Sequence, residues 1–206
     1  MINIYAVIIA IGAYLIGSIN FSILLSRIIL GKDIRQSGSG NAGATNMLRT
    51  YGKKMGVLTL LLDLLKGIVV IVVCRLMSIG EEWTYIAGVC VALGHNYPIF
   101  FGFKGGKGVA TSLGVAFVLD WQIGILVAVI GVSVIAITRY VSLGSMLGGA
   151  IFIVAEIFKM IYLGEFNIIK AVCSIILGGL LIYRHRTNII RLLNGTENKL
   201  GAKKKD

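Results

Sequence analysis

Three stretches of this 206-residue chain combine residue types that hold phosphate. Residues 38–49 run Gly38-Ser39-Gly40-Asn41-Ala42-Gly43-Ala44-Thr45-Asn46-Met47-Leu48-Arg49. Glycines allow turns in which successive backbone N–H groups point one way, and such a nest binds anions. Ser39, Asn41, Thr45 and Asn46 add side-chain donors, and Arg49 adds a guanidinium fork suited to a phosphate. The alternative for the stretch is a merely flexible polar loop.

The second stretch, residues 94–111, holds His95, the single proline Pro98, and Lys104 and Lys107 around Gly105 and Gly106, followed by Gly108 and Thr111. Pro98 should end a preceding helix, and the glycines place two ammonium groups on a pliable backbone. The plainer role for these lysines is to set topology, and for His95 a structural hydrogen bond. The third stretch reads His185-Arg186-Thr187-Asn188-Ile189-Ile190-Arg191, then Gly195 and Glu197. If the helix before it continues, His185, Asn188 and Arg191 fall at spacings of three on one face.

Several familiar motifs fail on context. Gly38-x-Gly40-x-x-Gly43, with Asp63 twenty residues on, fits the dinucleotide-binding pattern, but polar residues precede it where a buried strand is required. The second stretch lacks Walker A spacing. His-x-x-x-x-Asp is absent too, since Phe100 and Ile190 stand five after His95 and His185.

The elements positioning these stretches must lie in a membrane. Residues are 57% hydrophobic and 14% charged, and mean hydropathy is +0.90, too little polar surface to cover a soluble core. A soluble nucleic-acid binder is excluded despite the net charge of +11. A crossing takes about 20 helical residues. Apolar runs at 4–30, 56–79, 83–103, 122–138, 141–163 and 166–183, plus a short one at 109–120, predict an all-α integral membrane protein of seven transmembrane helices. Five or six spans with a re-entrant segment is the other arrangement.

Lys32, Arg35, Arg49, Lys53, Lys54, Lys104, Lys107, Arg139 and the basic tail fall on alternate connections. By the positive-inside rule this places the N-terminus outside and the C-terminus in the cytoplasm, against which only Arg75 and Lys170 speak. Residues 4–30 are expected to remain as a first helix and not to be cleaved as a signal peptide. Cys74, Cys90 and Cys173 sit in apolar runs as packing thiols. Asp63/Lys66 and Glu156/Lys159 are spaced to pair within helices, where each buried charge costs roughly 3 kcal/mol to insert. Snorkelling of Lys66 to the cytoplasmic face is the alternative. Residues 1–197 form one membrane domain and 198–206 a solvated basic tail, whose Lys203, Lys204 and Lys205 would meet anionic headgroups.

Three donor-rich clusters on one face, opening into an apolar interior, imply an enzyme joining a water-soluble phosphate to a hydrophobic donor. An organic-phosphate transporter is the rival, but alternating access favours a midplane site between broken helices. A non-catalytic scaffold leaves the Gly-Ser-Asn cradle unexplained.

The three stretches together closely resemble the signature motifs of the bacterial membrane glycerol-3-phosphate acyltransferases that use acyl phosphate, the PlsY family. The resemblance implies transfer of a fatty acyl group from acyl phosphate to the 1-hydroxyl of sn-glycerol 3-phosphate. The products would be lysophosphatidic acid and phosphate, at the start of phospholipid biosynthesis in the bacterial inner membrane. Ser39, Arg49, Lys104, His185 and Asn188 would be catalytic. Gly38, Gly40, Asn41, Gly43, Asn46, His95, Gly105, Gly106, Lys107, Gly108, Thr111, Arg186 and Glu197 would bind substrate, the second motif taking glycerol 3-phosphate. No convincing carboxylate base is present, which leaves the donor's own phosphate or His185 to take the hydroxyl proton. No cofactor, metal or nucleic acid is called for, and the chain is expected to act as a monomer among membrane lipids.

Overall fold

The computed structural model describes residues 4–201, and every regular element among them is helical. In chain order these are α1 (Ile4–Ser18), α2 (Phe21–Leu30), α3 (Ala44–Leu76), α4 (Glu81–Asn96), α5 (Val109–Leu119), α6 (Trp121–Thr138), α7 (Val141–Tyr162), α8 (Ile168–Arg184) and α9 (Arg186–Leu193), with short 3-10 turns at Ile34–Gln36 and Ile99–Phe101. By length and composition α3, α6 and α7 can each cross a membrane, and the bent pairs α1–α2 and α8–α9 qualify as units.

Departures from the expected runs have local causes. The run 4–30 is broken rather than continuous, because Asn20 takes an extended conformation and its side chain caps α2 by accepting from Ile23 N at 3.2 Å. The halves meet at 43°. α3 starts at Ala44, twelve residues before the apolar run, so Asn46 and Arg49 are helical and not part of a loop. Gly52, at φ 84°, interrupts that helix in a conformation that only glycine adopts readily. α4 stops at Asn96 instead of reaching 103, since Pro98 has no N–H and pushes Tyr97 out of helical geometry (φ −131°, ψ 65°). After α8 the chain turns by 53° at His185.

Short α5 rests on its neighbours. Thr111, Gly114, Val115 and Ala116 are buried, and a Cβ added at Gly114 or at Gly67 of α3 would strike the Leu64 or Thr111 carbonyl. Gly17 and Gly94 allow the same close approach of α1 and α4, where added Cβ atoms would meet Val91 and Tyr14 carbonyls. Small residues at such crossings maximise dispersion contacts where lipid supplies no hydrophobic driving force. Val70, Ile71, Val91, Val115, Phe152 and Leu177 fill the core, whereas Ile8, Val129, Val132 and Phe158 point outward.

The two intramembrane pairs fare differently. Asp63 and Lys66 pair at 2.8 Å, both buried, so Lys66 does not snorkel. Glu156 and Lys159 do not pair. Glu156 accepts from the Tyr85 hydroxyl at 2.7 Å, and Lys159 reaches Asp120, the N-cap of α6, whose Oδ2 faces it. Cys74 and Cys173 are buried, Cys90 half-buried, and all are free thiols. Of the expected solvated tail, Leu200 N is tied to the Arg139 carbonyl at 2.7 Å, while Lys203, Lys204 and Lys205 lie outside the described residues.

Candidate active site

The glycine-rich stretch is shaped by a side chain that follows it. Gly38 and Gly40 adopt φ of 60° and 71°, and extended Gly43 caps α3. Asn46, in the first turn of α3 and buried, donates its amide to the carbonyls of Ile34 (3.3 Å), Ser37 (2.9 Å) and Asn41 (3.0 Å). Its Oδ1 accepts from Ser39 N at 2.9 Å. Asn46 is therefore the internal template of the loop, and Ser39 is left at the surface. A side chain on Gly38 would clash with Asn46, and Gly43 packs 3.0 Å, in Cβ terms, from the Asn41 amide.

In the second stretch, Gly105 N and Gly106 N donate to the Asn96 and His95 carbonyls, both at 3.2 Å, folding the strip back on the end of α4. Arg184 clamps the other side. Its Nε and Nη2 donate to the Gly106 carbonyl at 3.1 and 2.9 Å, and its plane covers Tyr97. Gly108 at φ 79° starts α5, with a Cβ there landing 2.9 Å from the Asn96 amide oxygen. Thr111 is buried on α5, its hydroxyl without a hydrogen-bond partner. Lys104 is exposed beside a polar cleft lined also by Arg35, Gly40, Phe103, Gly105 and Arg184.

The turn after α8 joins the third stretch to the second. Lys107 Nζ donates to Asn188 Oδ1, the Asn188 amide donates to Glu197 Oε1 at 2.7 Å, and Arg191 Nε donates to Glu197 Oε2 at 2.7 Å. Ser142 of α7 adds a hydroxyl to Glu197 Oε1 at 2.9 Å. Arg49 donates to the Asn198 carbonyl at 3.0 Å, bringing the first stretch to the same place. The helix does not continue through His185 as a common face would require: Asn188 and Arg191 share Glu197, whereas His185, at the bend, bonds back to Leu181. Arg186 turns the other way, exposed over the Tyr183 ring at 4.8 Å.

Charge here is biased to cations. Burial, and then repulsion from Arg191, brings the Lys107 ammonium down to about 8, despite the opposing pull of Glu197. Burial and then the Lys107 charge bring His185 down to about 4. His185 is therefore neutral near pH 7, and because its Nδ1 donates to the Leu181 carbonyl at 2.8 Å, Nε2 carries the free lone pair. Burial disfavours ionisation of Glu197, but hydrogen bonds from Arg191, Asn188 and Ser142 outweigh it and hold the carboxyl below its usual value.

An apolar cavity of about 110 Å³ adjoins this network, between α5, α6, α7 and α8, with Val109, Ala128, Gly131, Ser145, Phe152 and Leu181 in its wall. Sequence reasoning missed Arg35, Ser142 and Arg184 as members of the site. Arg35 donates to the Phe101 (2.8 Å) and Lys104 (3.1 Å) carbonyls and also bridges Asp33, and the hydrogen bonds that Arg35 and Arg27 give this carboxyl hold it well below its usual range. Arg184 sits one residue before a motif, where it looks like any cation ending a membrane helix.

Comparison with known proteins agrees along nearly the whole chain. The sequence model of the glycerol-3-phosphate acyltransferase family matches residues 7–195. The chain is 45% identical to a glycerol-3-phosphate acyltransferase of Thermoanaerobacter pseudethanolicus, over 97% of this chain and 98% of that one. It is also 45% identical to one from Clostridioides difficile, over 96% and 97%. Its fold is similar to crystal structures of PlsY (YgiH), an integral membrane glycerol 3-phosphate acyltransferase. For the glycerol 3-phosphate form the TM-score is 0.86 at 39% identity, and for the lysophosphatidic acid form 0.82 at 38%, each covering 96% of both chains. An all-helical, multi-pass membrane chain with this motif geometry belongs to the glycerol-3-phosphate acyltransferase family.

Proposed function

We propose that the chain transfers a fatty acyl group from acyl phosphate to the 1-hydroxyl of sn-glycerol 3-phosphate. The observation that carries this is the double use of Leu181: its carbonyl holds His185 in the cationic network, and its side chain lines the apolar cavity. A polar phosphate end and a place for an acyl chain therefore meet at one residue.

The hydroxyl oxygen attacks the acyl carbonyl, the bond from that carbon to the phosphate oxygen breaks, and lysophosphatidic acid and phosphate leave. Arg49, Lys104, Lys107, Arg184 and Arg191 offset the repulsion of two phosphates held close together. The Gly38–Gly43 backbone and Ser39 face the acyl-phosphate group, and the strip at Gly105–Gly106 takes glycerol 3-phosphate. The hydroxyl proton passes to the leaving phosphate, because a histidine held at about 4 is a weaker base than a phosphate monoester, whose second pKa is about 6. His185 Nε2 then serves as a hydrogen-bond acceptor that orients the hydroxyl.

The motif connections face the cytoplasm of a bacterial inner membrane, with seven crossings and the N-terminus outside. Supporting this are the alternation of cations and the pairing of α1 with α2 as one bent span. Residues 1–197 constitute the catalytic domain and 198–206 a basic appendage. One copy suffices, since all three stretches meet within a single chain.

Purified protein in detergent, given acyl phosphate and glycerol 3-phosphate, should release lysophosphatidic acid and phosphate, and acyl-CoA should not replace the donor. Product without a sealed compartment rules out a pure transporter. Absence of product rejects the enzyme.

A further inference from the structure

Beneath the candidate site, a buried cation joins parts of the chain that are distant in sequence. Lys66 Nζ lies 3.1 Å from the Gly17 carbonyl and 2.9 Å from that of Ile19, at the break between α1 and α2. It is also 2.9 Å from His95 Nδ1 and 2.8 Å from Asp63 Oδ1, and Lys66, Asp63 and His95 are 2–5% exposed. An ammonium has three protons. The contact to Asp63 Oδ1 lacks hydrogen-bond alignment, and the same oxygen lies 3.5 Å from His95 Nδ1, too far to compete with the 2.9 Å contact from Lys66. The three protons go to Gly17, Ile19 and His95.

This assignment makes His95 Nδ1 an acceptor and places the ring proton on Nε2. The Nε2 edge faces Gly106, where an added Cβ would strike both Nε2 and the Ala42 carbonyl. Ala42 belongs to the first motif, and its carbonyl also accepts from the Asn20 amide at 3.4 Å, Asn20 being the cap of the broken span. His185 has the opposite arrangement, since its Nδ1 donates to Leu181 and its Nε2 is bare. The two histidines of the chain thus carry their protons on opposite nitrogens.

We infer that Lys66 is a positioning residue for acyl transfer: from within the helical bundle it clasps the broken first span and fixes the His95 ring against the junction of Ala42 and Gly106. It touches no substrate. It sets the registration of the first motif against the second, on which the distance between the two bound phosphates depends. A buried charge kept for register and not for stability fits the cost of placing it there. The inference rests on the acyl-transfer reading above.

The test uses the full chain in detergent, labelled with ¹⁵N-histidine. Long-range proton–nitrogen correlations should show one Nε2–H and one Nδ1–H imidazole, and His95→Gln should remove the Nε2–H pattern. The pair Lys66→Met with Asp63→Asn removes both charges together, leaving neither unpaired. It should abolish the fixed Nε2–H pattern and lower kcat at least about tenfold in protein of unchanged elution volume, because small misplacements of reacting groups are costly in rate. Wild-type kcat in that variant, even with a lower unfolding temperature, would assign Lys66 to stability alone and overturn the inference, as would an Nδ1–H proton on His95 in the unmodified protein.

If the double variant does not fold, substitutions at His95 decide. Glutamine keeps a donor near the Nε2 position and asparagine only near Nδ1, so His95→Gln should turn over at least about fivefold faster than His95→Asn, and the reverse order overturns the inference. An unmodified protein that makes no product rejects acyl transfer itself, while the proton positions still report on the clasp.

Discussion

Lys107 and Asn188, 81 residues apart, are joined by a hydrogen bond from the ammonium to the amide oxygen, and that bond dictates which way the amide faces. With Oδ1 committed to Lys107, the Asn188 NH₂ must point at Glu197, which it meets at 2.7 Å. Glu197 then takes Arg191 and Ser142, so one amide aligns the second motif, the third motif and α7.

Lys107 titrates near 8, so the protein loses this cation as pH rises through that value. Bound phosphate favours the charged form, and its affinity should fall where the ammonium deprotonates. KM for glycerol 3-phosphate is expected to rise roughly tenfold between pH 7 and 9.5. Lys107→Met should show a raised KM already at pH 7 and little further change. A pH-independent KM in the unmodified protein would remove Lys107 from phosphate binding.

Asn46 donates to three carbonyls and accepts one N–H. Asn46→Asp exchanges the donor for an oxygen facing those carbonyls and should destabilise the protein by roughly 2–3 kcal/mol. Turnover should fall further than stability does, because the loop that carries Ser39 loses its three carbonyl anchors at Ile34, Ser37 and Asn41, although the retained oxygen still accepts from Ser39 N. Urea unfolding beside steady-state assays separates the two, and unaltered turnover would show that the glycine loop holds its shape without Asn46.

Gly106→Ala puts a methyl group on His95 Nε2 and the Ala42 carbonyl. The strip must shift, and KM for glycerol 3-phosphate should increase at least about tenfold with a smaller change for acyl phosphate. An unchanged KM would move that substrate elsewhere.

Burial of neutral His185 makes stability depend on pH. Its pKa drops from 6.5 to about 4, so between those values the unfolded chain binds the extra proton. Stability contributed by this group is full above about pH 6.5 and is lost as pH falls toward 4, by up to roughly 3 kcal/mol. His185→Gln should flatten the decline between pH 6.5 and 4.5, as read by thermal unfolding of both proteins. Parallel curves would show that His185 ionises normally in the folded chain.

Ala128 lines the apolar cavity of about 110 Å³. Ala128→Phe should fill much of it and raise KM for long-chain acyl phosphates about tenfold, leaving short chains nearly unaffected, since each buried methylene is worth about 0.8 kcal/mol. Equal effects on all chain lengths would place the acyl chain outside this cavity.

Residue order alone determined that the chain is a helical membrane protein and marked three donor-rich stretches as candidates for binding phosphate. Helical apolarity and the types Gly, Ser, Asn, Lys and Arg are local properties, readable without coordinates. The Asp63–Lys66 pair was legible for the same reason, being one turn apart on one helix. Partners across helices were not. Glu156 met Tyr85 instead of Lys159, Arg184 proved to clamp Gly106, Arg186 turned outward, and His95 joined Lys66 through a ring nitrogen. The breaks at Asn20 and His185 were hidden as well, and a bend of 43° or 53° redirects the helix that follows it, as at Arg186. Spacing along one helix is set by its own geometry, but which groups face each other between helices depends on crossing and bending that only the packed bundle specifies.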